Sequence, residues 1–191
     1  MKKQVIIILL ILSLLILTAC KGTTKSSTSG FIGGKEGLSA TLSIESTAGG
    51  NKIFDNGVDP FKIDLTLQNK GEDEVAENEV IVTLDGINFN AFQIRDPTQR
   101  NTLPLAGLRR EAGSVTSASQ VILQYDGNYK PNEDADRVVD LAANVCYRYQ
   151  TTARVKDLCL RKRITGPGGN TSCKIDETKL AENSGSPFQV K

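Results

Sequence analysis

The sequence predicts an all-β fold, an antiparallel sandwich of short strands. Three observations carry that prediction. Apolar residues recur at every second position in several stretches, turn-forming residues punctuate those stretches, and no amphipathic helix of useful length is discernible from 36 to 165. Period two puts one face in a core and the other in water, and short strands spaced by turns pack best as two layers.

Each element can be taken in order. Leu38, Ala40, Leu42 and Ile44 share a face, against Ser39, Thr41, Ser43 and Glu45. Phe61, Ile63, Leu65 and Leu67 repeat the pattern against Lys62, Asp64, Thr66 and Gln68. Val80, Val82 and Leu84 do so again, as do Val121 and Leu123. The breaks are Gly49-Gly50-Asn51, Asn56-Gly57, Asn69-Lys70-Gly71, Asp85-Gly86 and Asp126-Gly127-Asn128, all with turn chemistry. Residues 88–115 are less regular and read as a long inter-sheet connection holding one or two short strands. Ala143 to Val155 carries the strongest strand signal, with Val145, Tyr147, Tyr149, Thr151, Ala153 and Val155 on one face. Unbroken, it would extend about 43 Å, so a bend near Thr151-Thr152 is expected. A domain of this size buries about 70% of its unfolded surface and closes its own core.

Composition excludes whole classes of function. Of 191 residues, 23 are Lys or Arg and 22 are Asp or Glu, a balance that argues against nucleic acid as a partner. The chain has no His, which removes Ser-His and Cys-His catalytic pairs and every imidazole metal site. No phosphate-binding Gly-rich loop, paired CxxC or nucleophile elbow occurs. The reading is therefore a non-enzyme without cofactor or metal.

Lys2 and Lys3 precede an apolar run from Val5 to Leu17, and small residues close it at Thr18-Ala19-Cys20. As a helix, residues 5–19 would span about 22 Å, short of the ~30 Å bilayer core, so the run reads as a secretory signal. Leu17-Thr18-Ala19-Cys20 resembles the lipobox of prokaryotic lipoproteins. That resemblance implies cleavage before Cys20 and lipid on its sulfur. An uncleaved N-terminal anchor is the alternative. Either way the remainder faces outside the cytoplasm at the cell membrane. Loss of residues 1–19 removes Lys2 and Lys3, leaving 21 basic against 22 acidic residues. Lys21 to Gly30 is a Ser/Thr/Gly/Lys tether spanning roughly 17 Å on average. The expected organisation is a signal peptide at 1–19, a lipidated N-terminus and tether at 20–34, a sandwich at 35–180, and a linker or the start of a further strand at 181–191.

The run from Phe61 to Gly71 resembles the second strand of immunoglobulin-like and CARDB-like domains, in which alternating aliphatics lead into an Asn-x-Gly turn. The whole chain resembles the envelope-anchored, immunoglobulin-like lipoproteins of archaea. That group has no agreed activity, so the resemblance implies an immunoglobulin-like sandwich and no chemistry.

Besides Cys20 the chain has Cys146, Cys159 and Cys173, and an exported compartment permits a disulfide. Cys159–Cys173 is the first choice, because it would close the Gly/Pro-rich loop around 161–172 and contribute ~3 kcal/mol. Cys146–Cys159 is the runner-up. In the first case Cys146 is left over, a free thiol expected to be a buried small hydrophobe. Asn170-Thr171-Ser172 is an N-glycosylation sequon. Asn132, Asp134 and Asp136 fall short of a calcium loop, since Arg137 stands where Gly is needed and Ala143 where an acid is needed. Arg154, Lys156, Arg161, Lys162 and Arg163 form a basic patch that would suit anionic headgroups or acidic polysaccharide. Tyr147 and Tyr149 read as core. Together these features suggest a structural, adhesive or assembly module of the envelope, with membrane, envelope proteins or glycans as partners. The alternative is a solute- or glycan-binding lipoprotein, associated with a transporter.

Overall fold

The structure, a computed structural model, describes residues 30–156, 158 and 178–191. Phe31–Lys191 forms a compact unit. In chain order its strands are β1 (Leu38–Glu45), β2 (Phe61–Asn69), β3 (Ile81–Asp85), β4 (Thr98–Arg100), β5 (Arg110–Glu111), β6 (Ser114–Val115), β7 (Ser119–Gly127), β8 (Ala142–Cys146), β9 (Ala153–Val155) and β10 (Ala181–Asn183). One helical turn, α1 (Phe89–Phe92), follows β3.

The chain is all-β, with two antiparallel sheets packed as a sandwich. The first sheet has the order β1-β2-β7 and the second β4-β3-β8. In the first sheet Leu38 pairs with Asn69 and Glu45 with Lys62, while Asn69 pairs with Ser119 and Phe61 with Gly127. This register defines two ends of the sandwich, the Asn69 end and the Phe61 end, about 27 Å apart along β2.

The alternation sorts side chains as the sequence predicts. Phe61, Ile63, Leu65 and Leu67 of β2 meet Val121, Leu123 and Tyr125 of β7 and Val82 and Leu84 of β3, all at 8% exposure or less. Val75, Phe92, Ile94 and Leu105 from the connections complete the core. Gly127 belongs to β7 and is not the turn residue its sequence suggests. The Phe61 ring lies where a side chain at 127 would stand. Packing therefore accounts for the glycine.

Residues 88–115 hold more structure than expected: α1, β4, the β5–β6 hairpin, and a bridge between Val75 and Leu105. The strong strand signal at 143–155 divides. Its ladder with β3 ends where Cys146 pairs with Ile81. Beyond it Tyr147 and Tyr149 stay half-buried against the core. The backbone N–H groups there turn to side chains instead: Gln150 donates to Asp73 Oδ2 (2.7 Å) and Thr152 to Ser184 Oγ (3.0 Å). The chain then pairs again as β9 with β10.

Residues 184–186, which the sequence suggests as a linker, are packed inside the unit. Ser184 is 6% exposed and Ser186 fully buried. The reason is close approach: a Cβ on Gly185 would lie 2.8 Å from the Gly33 carbonyl oxygen. Small residues let this segment pass between the N-terminal segment at Gly33 and the Glu72 side chain.

Candidate functional site

At the Phe61 end, local capping builds a polar cleft. Asn88 Oδ1 accepts from the N–H groups of Asn90 (3.1 Å) and Ala91 (3.3 Å), opening α1. Gln93 takes a left-handed conformation (φ 52°) and ends it. Asn128 N–H donates to Phe92 O (2.8 Å) and Lys130 N–H to Ala91 O (3.1 Å), so the turn is fastened to the chain leaving β7. Phe92 packs edge-on to Phe61 (6.1 Å between centroids) and against Tyr129 (4.5 Å).

The result is a cleft of about 660 Å³ between residues 89–99 and 124–128. Amides dominate its walls: Asn90, Gln93, Gln99, Gln124 and Asn128, with Arg95, Asp96 and Asp126 beside them. Gln99 Nε2 donates to Gln124 O (2.8 Å), joining the two sheets across the cleft. Two lining residues hold buried polar atoms with no hydrogen-bond partner, the Tyr125 hydroxyl and Asn128 Oδ1. Tyr125 is 1% exposed, and burial pushes its hydroxyl pKa up to about 12. Such orphans each cost roughly 1–3 kcal/mol, and among the described residues they occur only here. Both atoms are fully covered, and Asn128 Oδ1 lies beside Gly57, to whose carbonyl its Nδ2 donates (3.2 Å). The groups the cleft offers to a ligand are therefore its amides, which suit a neutral, hydroxyl-bearing one.

The Asn69 end differs. Asn69 is fully buried. Its Nδ2 donates to Asp73 O (2.7 Å) and Leu105 O (2.9 Å), and its Oδ1 accepts from Gly71 N–H (3.1 Å). Asn101 does the same for Val80, Ala76 and Leu103, each at 2.8 Å. Glu72 accepts from Ile32 N–H (2.8 Å), Gly33 N–H (3.1 Å) and Gly185 N–H, tying both terminal segments to one carboxylate. Burial raises the Tyr149 hydroxyl pKa; this hydroxyl lies 3.3 Å from both Asp73 N and Gly185 O.

The residues singled out in the sequence scatter. Cys20, Cys159, Cys173, Asn170 and Arg161–Arg163 lie outside the described residues. Cys146 is a free thiol. It is exposed rather than buried, because its position in β8 falls on the outward phase of the alternation. Arg154 stands over the Phe31 ring at 5.3 Å, and Lys156 pairs with Glu182 at 2.7 Å. Asn132 Oδ1 accepts from Asn56 Nδ2 (3.3 Å). No group of three or more His, Cys, Asp or Glu is placed to hold a metal ion among the described residues, and no described helix is long and apolar enough to cross a membrane.

The cleft itself was missed, because it forms between segments about thirty positions apart. The one sequence signal toward it was an aromatic phenol on the inward phase of a strand, two residues from a glycine. No protein-family model, curated protein or solved structure matches this chain.

Proposed function

We propose that this protein is an extracytoplasmic β-sandwich module, held to the cell membrane by lipid on Cys20, with a structural, adhesive or assembly role in the envelope and no enzymatic one. One observation carries the reading. The chain comes in at the Asn69 end, where Glu72 grips Ile32 and Gly33, while the polar cleft opens at the Phe61 end. An anchor at Cys20 would therefore hold one end near the bilayer and present the other to envelope proteins or glycans. The test is to solubilise native membranes in mild detergent and identify by mass spectrometry the N-terminal peptide and the co-purifying proteins. Lipid on Cys20 together with envelope partners is the expected result. A soluble, unlipidated, partner-free protein would refute the proposal.

The amides of Asn90, Gln93 and Gln124 along the cleft favour a second reading, a solute- or glycan-binding lipoprotein. A ligand bound only by the folded state raises the melting temperature. A shift with neutral oligosaccharides that Gln93→Ala removes would support this reading, and no shift across the panel would dismiss it.

A further inference from the structure

The β9–β10 ladder stands at the Asn69 end with apolar side chains in water. Leu180 is 86% exposed, Phe188 77%, Val190 52% and Val155 47%. They belong to one continuous piece of structure. Val155 pairs with Ala181 in the ladder. Asn183 exchanges hydrogen bonds with Val190 (2.8 and 2.9 Å), and Thr151 Oγ1 donates to Phe188 O (3.0 Å). Val155 stands on the opposite face of the ladder from Arg154 and Glu182. That leaves Leu180, Phe188 and Val190 as the exposed apolar groups of this end, and such exposure marks an interaction surface.

Basic groups stand on the same ladder. Arg154 pairs across it with Glu182 and lies over Phe31, the first residue of the compact unit. Lys156 is half exposed and engages Glu182, so Arg154 supplies the net positive charge of this trio. A surface that mixes exposed aliphatic and aromatic side chains with basic ones suits a membrane interface, where apolar groups enter the headgroup boundary and cations meet anionic lipid.

We propose that the Asn69 end is a membrane-contact face, with the β9–β10 ladder, Phe188 and Arg154 lying against an anionic bilayer surface. This inference rests on the lipid-anchored reading above. Phe31 follows Cys20 by eleven positions, so an acylated Cys20 would hold this end, and not the cleft end, within reach of the headgroups. The face then fixes how the module stands. The anchor limits its distance from the bilayer, and the ladder sets its tilt.

The test uses the chain from Lys21 to Lys191, which contains the whole compact unit and carries no lipid. It is sedimented with vesicles of equal parts phosphatidylglycerol and phosphatidylcholine, and with phosphatidylcholine alone. Binding is expected to the anionic vesicles, with weaker binding to the neutral ones. Arg154→Glu should lower the partition coefficient at least fivefold, since each basic residue at an anionic surface contributes about that factor. Leu180→Asp combined with Phe188→Asp should lower it about tenfold or more. Lys52→Glu, an exposed charge at the opposite end, should leave it unchanged. The chain has no Trp, so Phe188→Trp is a clean reporter whose emission should shift to the blue on anionic vesicles. Absence of binding, an unshifted reporter, or folded ladder variants that bind as well as the parent would each overturn the face. So would a dimer that the ladder variants convert to monomer, since a second copy would then be the occupant. Lipidation is read separately, from the mass of the native N-terminal peptide. Vesicle binding without lipid on Cys20 would uphold the face while refuting the anchor.

Discussion

The two ends of the sandwich handle buried polar groups in opposite ways. At the Asn69 end, Asn69, Asn101 and Glu72 between them satisfy nine hydrogen bonds to loop backbone. At the Phe61 end, a tyrosine hydroxyl and an amide oxygen sit buried without partners. A satisfied network is rigid and specifies one structure, whereas an unsatisfied group is a cost that a ligand or a rearrangement relieves. The Asn69 end is thus built to hold the chain together, and the Phe61 end stores unmet hydrogen-bonding capacity.

The largest effect is expected at the satisfied end. Asn69→Ala strands the carbonyls of Asp73 and Leu105 and the N–H of Gly71, and should cost about 3–5 kcal/mol of stability in a denaturant titration. A loss below about 1 kcal/mol would break the contrast. Glu72→Ala frees both terminal segments from the sheet and should cost about 2–3 kcal/mol. Hydrogen exchange should rise at Ile32, Gly33 and Gly185 first.

At the other end the sign reverses. Tyr125→Phe removes the orphaned hydroxyl while keeping the ring, and should stabilise the fold by about 1 kcal/mol. The same variant has a pH signature. The folded-state pKa of Tyr125 is raised from 10.0 to about 12. Its contribution is therefore fully present below pH 10 and lost as pH climbs toward 12. Wild-type protein should lose stability through that alkaline window more steeply than the variant, and parallel curves would count against the burial. Cys146→Ser is the smallest change: an exposed side chain on an edge strand should shift stability by less than about 0.5 kcal/mol.

Much of the framework was legible because its cause is local. The alternation in β1, β2, β3 and β7 places apolar groups inward by geometry alone, and Asn56-Gly57 and Gly86 take the positive φ their turns require. What was not legible depends on distant partners. Nothing near Asn69 in the chain announces that it holds Leu105, thirty-six positions away. Ser184-Gly185-Ser186 has the composition of a linker, and only the approach of Gly33 and Glu72 makes smallness a packing requirement. The cleft was hidden for the same reason: Asn and Gln follow no periodicity, and two remote segments must meet before their amides line anything.

The register of β1 also governs how the module would carry a mechanical load. All eight of its residues pair with β2, and its first residue, Leu38, lies at the Asn69 end. A pull on the N-terminal segment, opposed by a hold at the Phe61 end, runs parallel to the strand axes and across the hydrogen bonds between them. The bonds are then strained together in shear instead of opening one after another like a zipper. A tethered module with this register would yield only when the whole ladder gives way, and Arg154 over Phe31, then Glu72 on Ile32 and Gly33, would be the first contacts to feel the tension.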